Sequence, residues 1–124
     1  MSETTSFVDT LGVHSRTADD GTARLELDAT ERHLNEAGTV HGGVLATLVD
    51  TAMGLAARTT TDDEEVPATS QLTVAYLSAG REGRLVVTAR VRKRGDSLLL
   101  CEADVEQDGR SLVHAVASFA ILQR

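Results

Sequence analysis

One segment limits the fold more than any other. Val44, Leu45, Leu48, Val49, Ala52, Met53, Leu55 and Ala56, placed at 100° per residue, cover most of the circumference of a helix predicted from Gly43 to Thr59. Thr47, Asp50, Thr51, Gly54 and Arg58 fall on the one narrow stripe that is left. A helix this apolar has to be wrapped by other structure and cannot lie on a surface. It also opens directly out of a polar loop, Asn35 to His41, through Gly42-Gly43. A helix N-terminus of that kind has backbone N–H groups free for an anion or an oxyanion. Asp50 sets one carboxylate about two turns further in.

What surrounds the helix reads as strands. Ser6 can cap a short helix through Leu11, with Phe7 and Leu11 on one face; residues 1–12 are thus a short N-terminal helix or a frayed segment. Val13 to Ala29 is strand-like about the turn signal Asp19-Asp20-Gly21-Thr22, with Leu25, Leu27 and Ala29 alternating against Glu26 and Asp28. Residues 30–41 lack a period and read as loop. After the helix, Thr59 to Glu65 is an acidic connector. Strands are then predicted over 68–78, 84–94, 97–106 and 111–122, the last two joined by the hairpin signal Gln107-Asp108-Gly109-Arg110. The final strand is apolar on both faces and is expected to be central. One antiparallel sheet around one helix is the economical burial scheme, so residues 1–124 are expected to form a single α+β domain.

Composition narrows the functional classes. The net charge of −7 and the 2% aromatic content argue against a phosphate-backbone or base-stacking nucleic-acid binder. Lys93 is the single lysine among twelve basic residues, a balance that suits a salt-adapted cytoplasm or a GC-rich genome. The one cysteine, Cys101, excludes an internal disulfide framework, fits a reducing compartment and reads as a small apolar strand residue. No signal segment and no apolar run of membrane-spanning length is visible, so the expected location is cytoplasmic. His14, His33, His41 and His114 have no ligand spacing, and no metal site is expected.

The stretch Asn35…His41-Gly42-Gly43-Val44-Leu45-Ala46-Thr47-Leu48-Val49-Asp50, followed by Thr69 and by Leu72-Thr73-Val74-Ala75-Tyr76-Leu77, closely resembles the hotdog-fold acyl-CoA thioesterases, nearest to the PaaI-like branch. The similarity runs from about Leu34 to Ala120. The resemblance implies a curled antiparallel sheet wrapped around one long central helix, a homodimer or homotetramer, and active sites shared between subunits. It implies acyl-CoA as substrate and no cofactor beyond the CoA that the substrate carries. It matches Asp50 to the family's catalytic carboxylate, Gly42 to its oxyanion-hole glycine, and Asn35, His41 and Thr69 to neighbouring site positions. One departure follows Tyr76-Leu77, where many members have Arg-Pro and this chain has Ser78-Ala79-Gly80.

Each of these residues has a plainer alternative. From periodicity alone Asp50 is part of a solvated helix stripe; in a thioesterase it is a general base or a nucleophile. Gly42 is a turn glycine or the carrier of an oxyanion-binding N–H. His41 lacks a nucleophile elbow to serve and is read as a loop-orienting residue, not the principal base. Asn35 caps its loop or positions water or the thioester; Thr69 is a strand residue or a partner of Asp50. The run Arg90 to Gly95 is a solvated strand edge, or else Arg92, Lys93, Arg94 and Gly95 hold the CoA phosphates. A non-catalytic acyl-CoA sensor or scaffold is the rival from another functional class.

Overall fold

The structure is a computed structural model, and it describes residues 6–124; the expectation of fraying over 1–5 lies outside them. In order, α1 (Phe7–Leu11), β1 (Val13–Asp19), β2 (Thr22–Ala29), a single 3-10 turn (Glu31–His33), α2 (Gly42–Arg58), β3 (Glu65–Tyr76), β4 (Gly83–Arg94), β5 (Leu98–Gln107) and β6 (Arg110–Gln123) follow one another. The six strands form one sheet in the order β1-β2-β4-β5-β6-β3, every neighbouring pair antiparallel. The sheet curls around α2. This is the hotdog fold, with β6 inside the sheet as its two apolar faces predict, and β1 and β3 at the edges.

The core is where the periodicities meet. Leu45, Leu48, Val49, Ala52, Met53, Ala56 and Ala57 of α2 are buried against the inward positions of the strands. Those are Leu25 and Leu27 of β2, Leu85 and Val87 of β4, Cys101, Ala103 and Val105 of β5, and Val113, Ala115 and Ala117 of β6. Small residues on both sides let the helix sit close to the sheet, which is how a chain almost without aromatics fills its interior.

Several boundaries differ from expectation by one to three residues, two of them for a clear local reason. α2 starts one residue earlier, at Gly42, because His41 acts as its N-cap, the ring Nδ1 accepting from the Gly43 N–H at 2.9 Å. β3 starts at Glu65, not 68, and runs through Pro67, paired with Ile121. Proline is tolerated there because β3 is an edge strand and one side of its backbone has no ladder to serve.

Candidate active site

Two polar features stand along α2, one at its start and one in its middle. At the start, four hydrogen bonds fix the backbone around Gly42. The His41 carbonyl accepts the N–H groups of Val44 and Leu45 at 2.9 and 3.3 Å. The next peptide is held at both ends, its N–H (Gly43) by the His41 ring and its carbonyl (Gly42) by the Tyr76 hydroxyl, which donates at 2.9 Å. The N–H of Gly42 itself meets no acceptor among the described residues. It is a donor without a partner on a rigid frame, at the positive end of a 17-residue helix.

Tyr76 was not picked out as a site residue from the sequence. It is the chain's only tyrosine and closes an apolar strand, and such a ring commonly has a partner for its hydroxyl. Its ring also explains the glycine. A Cβ on Gly42 would stand 3.3 Å from the Tyr76 hydroxyl oxygen and 3.4 Å from Cζ. Gly42 has an ordinary backbone conformation, so close approach, not positive φ, is what calls for glycine here.

Eight residues along, Asp50 Oδ1 accepts from the Thr69 hydroxyl at 2.7 Å. Thr69 can reach because β3 bulges just after it: the register with β6 shifts between Thr69 and Gln71, and Ser70 turns its hydroxyl to the Ser118 carbonyl at 3.1 Å. Asp50 is half-buried. It lies in a groove of about 380 Å³ with Thr47 and Thr51 of α2, Leu72 of β3, and Phe7 and Val8 of α1. The helix stripe read from the sequence is therefore a groove wall, and α1 forms one rim of it, with Phe7 67% exposed.

A family profile described as the thioesterase superfamily matches residues 37–114, which span both features. The chain belongs to the thioesterase superfamily. Mouse acyl-coenzyme A thioesterase 13 is 34% identical over 82 residues, which are 64% of this chain and 57% of the mouse protein. The chain thus spans little more than half of that relative's length. A conserved Pseudomonas aeruginosa protein of known structure is 28% identical and superposes with a TM-score of 0.90 over 96% of this chain and 95% of its own. A Bacillus halodurans protein solved with CoA is 30% identical, with a TM-score of 0.77 over 80% of this chain and 66% of that one.

Within this thioesterase-superfamily chain the other expected site residues are dispersed. The Asn35 side chain serves its own loop: Oδ1 accepts from the Ala37 and Thr39 N–H groups at 2.9 and 3.2 Å, and Nδ2 donates to the Thr39 hydroxyl at 3.0 Å. The basic run lies elsewhere. Arg94 Nη2 is 3.1 Å from Glu65 Oε1, and its Nε donates to the Thr60 carbonyl just past the C-terminal end of α2. Arg92 Nη1 is 3.7 Å from Glu102. Lys93 and Gly95 border a shallow apolar depression with Leu98, Leu100 and Ser118. In a single chain this group is separated from Gly42 by the length of α2, about 25 Å at 1.5 Å per residue.

The remaining histidines have structural partners. His114 Nδ1 lies 2.8 Å from Asp104, and His14 Nε2 lies 3.3 Å from Asp28. Buried His33 bridges the Thr30 N–H and the Leu11 carbonyl. Burial pushes the Cys101 thiol up to about 11, so it stays protonated at neutral pH. No helix of the described residues is long and apolar enough to cross a membrane.

Proposed function

We propose that this protein hydrolyses acyl-CoA thioesters to the free acid and CoA, using Asp50 and the Gly42 N–H. The observation that carries the reading is the pairing of unused capacity on one helix. A clamped N–H has no acceptor, and a half-buried carboxylate is held on one oxygen by Thr69. The donor suits the oxyanion formed when the thioester carbonyl is attacked. The carboxylate suits either removal of a proton from the attacking water or direct attack to give an anhydride that water then opens. In both routes the C–S bond breaks and the CoA sulfur ends protonated. This chemistry needs no resident cofactor.

The spacing of the two groups supports a site shared between two chains. Gly42 and Asp50 are eight residues apart on one helix, about 12 Å at 1.5 Å per residue, whereas donor and base must both reach one carbonyl from about 3 Å. Among the described residues, the backbone at the outer edge of β3 has no strand beside it. Pairing two such edges about a two-fold axis reverses the second helix and carries its Gly42 toward the first chain's Asp50. In that homodimer Asn35 and His41 stand with Gly42 of one chain, and Thr69 with Asp50 of the other. A homotetramer would pair two such dimers. Of the four residues expected to hold CoA, Arg92 and Arg94 already have acidic partners, which leaves Lys93 and Gly95 as the freer pair. The reducing cytoplasm is the proposed place of action.

Asp50→Asn tests the reading. Against a panel of acyl-CoAs, thiol release by the wild type is expected to fall about 10²–10⁴-fold in the variant. Equal rates would remove Asp50 from the mechanism, and acyl-CoA binding without thiol release by the wild type would favour the sensor. Single turnover in ¹⁸O-water separates the two roles, because only the nucleophilic route leaves label in the Asp50 carboxylate.

A further inference from the structure

We propose that α1 selects the acyl group: Phe7, seated over the Asp50 groove by the buried His33 ring, is the wall along which the acyl chain of the substrate lies. The inference rests on the acyl-CoA reading above. α1 has five residues, well below the length at which a helix is stable alone, and none of them is buried. The face formed by Phe7 and Leu11 is divided between two tasks. Leu11 packs on the core, while Phe7 and Val8 border the groove of about 380 Å³ in which Asp50 stands. Among the described residues Phe7 is the most exposed large apolar side chain, and no other of the strongly exposed ones borders that groove.

Polar ties hold α1 in place at both ends. At its start Ser6 Oγ accepts from the Asp9 N–H at 3.1 Å, and at its end the N–H of Gly12, at positive φ, donates to the Asp9 carbonyl at 3.1 Å. The Asp9 carboxylate meets Arg16 of β1 at 2.7 Å. The strongest tie comes from His33, which is 4% exposed. Its Nδ1 accepts from the Thr30 N–H at 2.9 Å, which leaves the ring proton on Nε2, and Nε2 donates to the Leu11 carbonyl at 2.6 Å. A carbonyl in the last turn of a helix has no partner within the helix, so the ring satisfies it and fixes where α1 sits. The core gains little apolar burial from α1. Its careful seating therefore points to a use outside the core.

The groove matches one substituent of the thioester carbon. Thr47 turns its hydroxyl back to the Gly43 carbonyl at 2.8 Å, and Asp50 Oδ1 takes the Thr69 hydroxyl. Apart from Thr51 and the second Asp50 oxygen, what is left is an apolar wall of Phe7, Val8, Ala46 and Leu72. A carbonyl carbon placed at Asp50 has two substituents, the CoA sulfur and the acyl chain, and the apolar wall suits the chain. From Ala46 to Thr51 the groove follows α2 for about 7.5 Å at 1.5 Å per residue. A longer chain covers more of that wall and an acetyl group little. Each methylene moved from water onto such a wall is expected to raise kcat/KM about 2- to 4-fold.

The test compares acetyl-, hexanoyl- and decanoyl-CoA as substrates of the wild type, Phe7→Ala and Phe7→Leu. The ratio of kcat/KM for hexanoyl-CoA to that for acetyl-CoA is expected to fall about 10-fold in Phe7→Ala, through KM, and to be largely kept in Phe7→Leu. His33→Ala and His33→Gln read the positioning. Alanine should lower the same ratio, and glutamine, whose amide can still donate to the Leu11 carbonyl, should restore part of it. A ratio within about twofold of wild type in Phe7→Ala overturns the assignment. So does a smaller assembly in sedimentation with the ratio unchanged, which would make Phe7 packing between subunits. A kcat loss equal at every chain length in His33→Ala overturns the positioning role, because it would put the effect of the ring on the loop before α2. If the wild type hydrolyses no thioester, the hydrolase reading fails. Calorimetric titration with S-alkyl thioethers of CoA, which cannot be hydrolysed, then decides whether affinity rises with chain length in the wild type and stays flat in Phe7→Ala.

Discussion

The two ends of α2 are made from similar residues and treat them in opposite ways. At the C-terminal end Arg94 meets Glu65, and on the adjoining outer face of the sheet Arg90 meets Glu102 and Asp104. Charges there are matched strand against strand. At the N-terminal end the Gly42 N–H is open, and Arg81 and Arg110 have no acidic partner among the described residues. The run Arg90 to Arg94 is the more conspicuous cluster in the sequence, yet most of its charge is already used. In the reading proposed above, unspent hydrogen-bonding capacity, not local density of charge, marks the end of α2 that meets the thioester.

Of the changes at this end, filling it should do the most damage. In Gly42→Ala the new methyl group stands 3.3 Å from the Tyr76 hydroxyl, which has to give way by a few tenths of an ångström and so disturbs its bond to the Gly42 carbonyl. Displacing an oxyanion donor typically costs about 10²–10³ in rate, so kcat is expected to fall by about 10²-fold while far-ultraviolet circular dichroism is retained. A variant as fast as wild type would mean that the Gly42 N–H is not the donor. Tyr76→Phe is the gentler break: the ring stays and only the hydroxyl goes. A net hydrogen bond of about 0.5–1.5 kcal/mol corresponds to roughly a 2- to 12-fold loss. That loss should fall on kcat, because the bond orients the peptide next to the donor. A loss confined to KM would make Tyr76 a wall of the cleft and nothing more.

These same contacts show what could be read from the sequence and what could not. The period of Val44 to Ala57 fixed one buried helix, and the alternation of Leu25, Leu27, Leu85, Val87, Ala103 and Val105 fixed the sheet around it, because burial imposes those periods on any chain that folds this way. The groove position of Asp50 follows from the same helix, whereas the His41 cap that starts it at Gly42 does not. Thr69 as a partner of Asp50 comes from the family resemblance and not from alternation, which hides the bulge at Ser70 that lets it reach. Tyr76 and Gly42 are 34 residues apart, and the Gln107 amide that holds the Arg81 backbone lies 26 residues beyond it. Pairings of that kind are set by register between distant strands. The neutralising acids of the basic run, Glu102 and Glu65, come from other strands too, so the run looks freer as a string than it is in the fold.

The smallest expected effect probes an ion pair on the outer face of the sheet. The Arg84 guanidinium, bonded to Asp28, holds that carboxyl below its ordinary value of 3.8, with a smaller contribution from His14 and an opposing one from partial desolvation. A carboxylate whose pKa is lower in the folded than in the unfolded chain stabilises the fold above the unfolded value, and that contribution is lost as pH falls through the folded one. Arg84→Gln should therefore lower the urea midpoint slightly at pH 7, and the gap from wild type should close below about pH 3.8. The pair is exposed, so the gap should also shrink in high salt. A gap that widens on acidification would have the wrong sign for this ion pair. A gap at pH 7 as large as that of a core substitution would mean that the matched face contributes more to the fold than exposed ion pairs ordinarily do.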